Sequence, residues 1–404
     1  MPEHSFRKTA PAWAAAALCL AIFNVAKGVR PPSNWAATQA QIDYSLGVIK
    51  RGLFGQIGRW LGLEIGRYEV FVGVSAGGLL AFLAALATFC WRFRVFGDRT
   101  SSLLALAFSA SFAMACFAHL VGYFDLLLGA MALAVLCLPP GARPFAALLG
   151  GCLGVLVHEM YLFVFLPLTL LPVALAAIER AASLRRAVGR LMLVALLAVP
   201  ALSIVLALAL RPPLDPQQAL HLQEFVASRT DFPVRPDFFL VFERSSQANL
   251  EIMAGLFSER DFLMRQVSTA FEILPLVALF AWAAWLRLSS VAPAWRRTLA
   301  ACLTAGAGLS PLIMHGLGWD VLRWNALALL TSAAAYFVLD RRPANHPSQE
   351  SAGLQARAIQ VLAALSIPPS LLFSYGFMHW YWPFKGLHEV LRSLQEGAWV
   401  APEL

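Results

Sequence analysis

Four groups of ionisable side chains interrupt apolar stretches of this sequence. Asp43 and Tyr44 precede Lys50 and Arg51; Asp125 opens an apolar run; His158 and Glu159 are adjacent; and Asp320 is followed by Arg323 and Trp324. Carboxylates and an imidazole move protons, and guanidinium and ammonium groups hold anions. An ionised group at membrane depth costs roughly 2.5–3.5 kcal/mol on insertion scales, which makes such interruptions the first places to look for function. Each group also has a plainer reading. A carboxylate near a helix start can be a cap or an interfacial anchor, His158 can be a packed histidine bonded to a backbone carbonyl, and the Asp320/Arg323 spacing suits an intrahelical ion pair.

The elements that must position these groups are set by composition. The chain has 404 residues, of which 59% are hydrophobic and 13% charged, and its mean hydropathy is +0.67. So little polar surface cannot cover a water-soluble globule, and a bilayer must be part of the solvent. A formal charge of +8 could point to nucleic acid, but the basic residues form short clusters between apolar runs, as membrane topology requires. No nucleic-acid partner is expected. The six cysteines lie in apolar stretches without a CxxC pair, so neither a disulfide framework nor a zinc site is indicated. Arg7 and Lys8 before the run from Pro11 to Ala26 resemble a signal peptide; an uncleaved anchor is the expectation, because many apolar runs follow.

The pattern predicts an all-α integral membrane protein of about eleven spans. They fall near 11–27, 70–91, 101–121, 125–139, 145–158, 160–178, 191–210, 267–286, 298–314, 325–339 and 358–378. With the N-terminus inside, the connections 92–100, 140–144, 179–190, 287–297 and 340–357 are cytoplasmic, and every one is basic. The C-terminus is then outside, and all four ionisable groups share the outer face. Two long outer loops, about 28–69 and 211–266, and an outer tail, about 379–404, carry mixed apolar and charged stretches that predict interfacial amphipathic helices. No repeat or separable soluble domain is visible, so residues 1–404 read as one membrane domain. Apart from Tyr161, His158 and Glu159 are the only titratable side chains other than cysteine between Arg143 and Glu179. That stretch barely holds two spans, which predicts a tight outer turn at the pair, below the outer surface.

In the first outer loop, Ile42, Leu46, Ile49, Leu53 and Ile57 form a helical apolar stripe that would put Asp43, Gly47 and Lys50 on one flank. Gly47, Gly52, Gly55, Gly58 and Gly62 each weaken such a helix by roughly 1 kcal/mol. A continuous interfacial helix, a broken helix and close backbone approach to a ligand all remain open.

This architecture, with the Tyr44–Gly47–Arg51-Gly52-Leu53–Gly55 pattern and the His158-Glu159 pair, resembles the C-type glycosyltransferases and related membrane proteins of bacterial polysaccharide assembly. No paired Asp-Glu or Asp-x-Asp motif stands in the first loop. The resemblance implies a location in the bacterial cytoplasmic membrane and a donor sugar on a polyprenyl phosphate. Transfer to a glycan or lipid acceptor would then take place on the outer face. No cofactor is expected, although a divalent cation is compatible with the chemistry. Such a site needs a base for the acceptor hydroxyl and cations for the departing phosphate. Asp43 fits the first role; Lys50, Arg51 and Arg323 fit the second. His158 could donate to the phosphate, Glu159 could orient His158 or be the base, and Tyr44, Asp125, Asp320 and Trp324 would complete the substrate site. Trp324, Trp380 and Trp382 could stack on sugar faces or anchor the interface. A polysaccharide polymerase acting on lipid-linked repeat units is an alternative, with Arg229, Arg235, Arg244, Arg260 and Arg265 facing an acidic glycan. A transporter or lipid-linked-sugar flippase is another, and would place its charges near the midplane.

Overall fold

The computed structural model describes residues 3–289, 291–318, 320–340, 349–373 and 384–399. Its regular structure is helical throughout, with no strand among the described residues. In chain order the helices are α1 (Glu3–Gly28), α2 (Asn34–Ala40), α3 (Leu53–Trp60), α4 (Tyr68–Arg92), α5 (Arg99–Ala110), α6 (Phe112–His119) and α7 (Phe124–Cys137). There follow α8 (Arg143–Val157), α9 (Tyr161–Val164), α10 (Leu166–Glu179), α11 (Leu184–Ala195), α12 (Val199–Ala209), α13 (Pro216–Ala227) and α14 (Pro236–Glu243). The last are α15 (Ser246–Leu256), α16 (Arg260–Ser289), α17 (Ala294–Leu309), α18 (Val321–Asp340), α19 (Gln349–Phe373) and α20 (Lys385–Glu396).

Among the described residues, six helical stretches are long and apolar enough to cross a membrane: Ala10–Gly28, Tyr68–Arg92, Tyr161–Glu179, Leu184–Ala209, Ala294–Gly316 and Val321–Asp340. The number rises to eight if α5 with α6, bent by 45°, and the two halves of α16, bent by 42°, each count as one span. The α5–α6 bend has a local cause. Ser111 adopts an extended backbone, and its hydroxyl donates to the Phe108 carbonyl at 2.6 Å, as serine does at helix kinks. Of the other stretches expected to span, α7 and α8 have 14 and 15 residues, which at 1.5 Å per residue reach only about 21–22 Å of a roughly 30 Å core. The expected stretch 358–378 runs past Phe373, and Trp380 and Trp382 lie outside the described residues.

The core is organised around α18, buried along nearly its whole length and packed by α5, α6, α10, α16 and α17. Its small residues permit that crowding. Thr331 and Ser332 of α18 donate to the Gly308 carbonyl of α17 at 2.6 and 3.1 Å, the kind of small-residue contact that apolar bundles use in place of a hydrophobic drive.

The connections separate into two ends. At one, Arg287 pairs with Asp340, Ser101 donates to Asp340, Gln360 donates to Thr100, and Arg296 donates to the Ala181 carbonyl. At the other, Arg30 donates to the His119 carbonyl and Tyr68 to the Pro32 carbonyl. The Phe384 amide donates to the Lys27 carbonyl at 3.3 Å and its ring lies edge-on to Phe23, so α20 is seated against the C-terminal end of α1. The second end therefore carries the loops after α1, the turns at 120–123 and 158–160, residues 317–318 and the start of the tail.

Candidate functional site

The first loop does not continue as a helix from Ile42. Residues 43–52 are irregular and α3 begins only at Leu53, so of the readings left open by the sequence the continuous interfacial helix is the one not adopted. The backbone explains the break: Gly47 has φ +105° and Arg51 φ +62°. The left-handed region disfavours any side chain, and an arginine held there depends on surrounding contacts. Two contacts are present. Gly52 lies against the Tyr44 ring, where a Cβ would collide, and Arg51 makes a fork of hydrogen bonds to Glu159, its Nε donating at 3.2 and 3.1 Å to the two carboxylate oxygens and its Nη2 to Oε1.

Glu159 stands in the turn between α8 and α9, as the sequence predicts. His158 caps α8 with extended backbone, and its Nδ1 accepts from the Met160 amide at 3.2 Å. The same Nδ1 lies 3.4 Å from Glu159 Oε2. Burial, reinforced by the Arg51 cation, pushes the His158 pKa well below the usual histidine value, with Glu159 opposing. Burial alone would raise the Glu159 pKa, but the charge and hydrogen bonds of Arg51 overcome it and hold the carboxyl ionised, below the usual range. The Glu159 side chain keeps 30% of its surface exposed.

Beside this turn lies a second ion cluster. Arg323, on the first turn of α18, donates through Nε to Asp125 Oδ1 at 2.8 Å and through Nη1 to Asp320 at 3.3 Å. Its Nη2 donates to the Met160 sulfur at 3.2 Å, which ties the cluster to the His158–Glu159 turn. The guanidinium lies over the rings of Trp324 and Tyr123, 4.7 and 5.4 Å from their centroids, and Trp35 stacks on the other ring of that pair, Tyr123. Trp324 is buried, its indole N–H donating to the Gly318 carbonyl at 3.1 Å. Asp125 is fully enclosed, and its Oδ2 has no hydrogen-bond partner among the described residues.

Asp43 pairs with neither Lys50 nor Arg51. Its Oδ1 accepts from the Ser45 amide at 2.9 Å. Its Oδ2 accepts from Arg229 at 2.9 Å and lies 3.8 Å from Arg59. Burial opposes ionisation, but the Ser45 hydrogen bonds and Arg229 prevail and lower the Asp43 pKa. The side chain is only 2% exposed. Tyr44 packs against the core with its hydroxyl buried, and burial raises its pKa. Lys50 is half-buried.

The structure thus brings Arg51, His158, Glu159, Asp125, Asp320, Arg323 and Trp324 into one connected group and gives Asp43 other partners. Sequence reasoning missed Arg59, Tyr123 and Met160. Nothing in their spacing distinguishes them, although Tyr123 stands two residues before Asp125. Among the described residues no cluster of three or more His, Cys, Asp or Glu is arranged to hold a metal ion. No family model, curated protein or solved structure matches the chain.

Proposed function

We propose that this chain is a glycosyltransferase of the bacterial cytoplasmic membrane that moves a sugar from a polyprenyl-phosphate-linked donor to a glycan or lipid acceptor on the extracytoplasmic face. In this reading the chain crosses the bilayer eleven times, with the N-terminus in the cytoplasm and the C-terminus outside, and α13, α14, α15 and α20 lie at the interface. The short α7 and α8 then leave the His158–Glu159 turn and Asp125 recessed below the outer surface.

The observation that carries the reading is the Arg51–Glu159–His158 arrangement at one end of an apolar bundle. It supplies a carboxylate held ionised, a neutral imidazole, and a cation beside both. In the transfer, the acceptor oxygen bonds to the anomeric carbon. The bond from that carbon to the phosphate oxygen breaks, with its electron pair leaving on the phosphate, and the acceptor proton passes to a carboxylate. Exposure favours Glu159 over Asp43 as that base, because an acceptor hydroxyl must come within hydrogen-bond reach and Asp43 is covered. A carboxylate of low pKa accepts the proton late, as the new C–O bond acidifies the hydroxyl. His158, Lys50 and Arg51 serve the departing phosphate. Arg323, held by Asp125 and Asp320, positions the turn through Met160. A cleft of about 490 Å³ between α1 and α4, floored by α5 and α18 and lined almost wholly by apolar side chains, offers room for the donor's hydrocarbon chain.

The test is product formation in membranes from a radiolabelled polyprenyl-phosphate sugar. Glu159→Gln keeps the shape and is expected to lower the rate by roughly 10²–10⁴, with Asp43→Asn affecting it less in protein of equal abundance. Full activity in Glu159→Gln beside loss in Asp43→Asn would move the base to Asp43. Wild-type protein that forms no product but carries the labelled lipid across vesicle membranes would replace the transferase with a transporter.

A further inference from the structure

The two long loops at the site end flank a second polar space, open on one side. A cavity of about 640 Å³ lies between the segment 59–67 and the turn 228–231, within the roughly 300–1,000 Å³ typical of small-molecule sites. Its walls are fixed. The Asp231 amide donates to the Gly66 carbonyl at 3.1 Å, Asp231 Oδ1 accepts from the Tyr68 amide at 2.8 Å, and Gln41 donates to the Ile65 carbonyl at 2.6 Å. Gly66 packs so closely on the Arg229 carbonyl that a Cβ would collide.

The polar groups facing this space are balanced. Arg59, Arg67 and Arg229 meet Glu64 and Asp231 on the wall, with Asp43 beneath Arg59 and Arg229. Arg67 also pairs with Glu64 and Glu69. Three guanidinium groups meet two carboxylates on the wall, and the buried Asp43 beneath Arg59 and Arg229 offsets the third, which leaves little surplus positive charge to attract a phosphate. It offers donors and acceptors side by side, together with the hydroxyls of Ser228 and Thr230 and the apolar surfaces of Leu63 and Ile65. Sugar hydroxyls both donate and accept, and a pyranose also presents C–H faces to apolar side chains.

We propose that this cavity binds a saccharide, and that it is the acceptor subsite. Its place in the reaction rests on the transferase reading; its ligand chemistry does not. The segment 43–52 joins the two places, with Asp43 under the cavity and Arg51 on Glu159.

The experiment uses the full chain in nanodiscs with Ser228→Cys, an exposed position on the cavity wall. Maleimide labelling of the peptide carrying residue 228 is followed by mass spectrometry. The probe is the delipidated surface polysaccharide of the producing cell, cut to fragments of two to eight sugars. The fragments are expected to slow labelling at least fivefold and pyrophosphate to leave it unchanged. Arg67→Gln with Glu64→Gln, two exposed substitutions checked for an unchanged melting temperature, is expected to abolish the protection. No protection by the fragments, equal protection by pyrophosphate, or protection that survives the double substitution would each overturn the saccharide site. Protection that persists while Glu159→Gln retains full transfer would leave the saccharide site standing and remove the catalytic reading instead.

Discussion

Arg323 is a charge that the interior tolerates because two carboxylates and a sulfur surround it. Removing one partner of a buried pair leaves the other uncompensated, at a cost of about 3–5 kcal/mol. Arg323→Met is therefore expected to destabilise the protein by that amount in thermal melts, and the double variant Arg323→Met/Asp125→Leu to recover most of it, since both charges are then gone. Equal instability in the single and double variants would show that Arg323 acts by shape. A pH profile provides a second check at this scale. The folded pKa of His158 lies below its unfolded value near 6.5, so the unfolded chain takes up the proton first and stability contributed above pH 6.5 is lost as pH falls toward the folded value. The melting temperature is expected to fall as pH drops from about 6.5 to 5, with His158→Asn removing part of that slope. Glu159 and Asp43, whose pKa values are depressed, add a further loss that begins only near pH 4.5 and deepens below it. Identical slopes in wild type and His158→Asn would exclude His158 as the source.

The corner between α8 and α9 sets where the His158–Glu159 turn stands. Gly154 lies against the ring of the fully buried Tyr161, and a Cβ there would collide with three ring atoms. Gly154→Ala is expected to destabilise the fold by about 1–3 kcal/mol through overpacking and to lower transfer activity as well, because the turn must shift with Tyr161. Undiminished activity would separate the corner from the site. This corner was legible in the sequence: apolar runs too short for two full spans, broken by an ionisable pair, require a turn there. The irregular course of residues 43–52 was only half legible. The glycines of the first loop signalled a broken helix, but the positive φ of Arg51 depends on Glu159, 108 residues away. The pairing of Asp43 with Arg229 was not legible, because many arginines occupy the second loop and packing alone selects among them.

Across the whole molecule, the connections gather at two ends, and the tail helix α20 sits at the end opposite the connection 138–142. With eleven crossings, Gly141→Cys and Gln395→Cys are expected to react with a membrane-impermeant thiol reagent from opposite faces: Gln395→Cys in intact spheroplasts, Gly141→Cys only after the membrane is opened. Labelling of both from one face would remove the proposed topology and the single outer site with it. The link between the two long loops has a bearing on how the protein is made. Arg229 follows Asp43 by 186 residues, which at about 5–20 residues per second is roughly 10–40 s of synthesis. During that interval Asp43 has Ser45 and Arg59 beside it but not yet Arg229. The first loop is thus completed by a late part of the chain, and a translation product that stops before Arg229 is expected to be cleaved faster within 43–52 than the full chain in limited proteolysis.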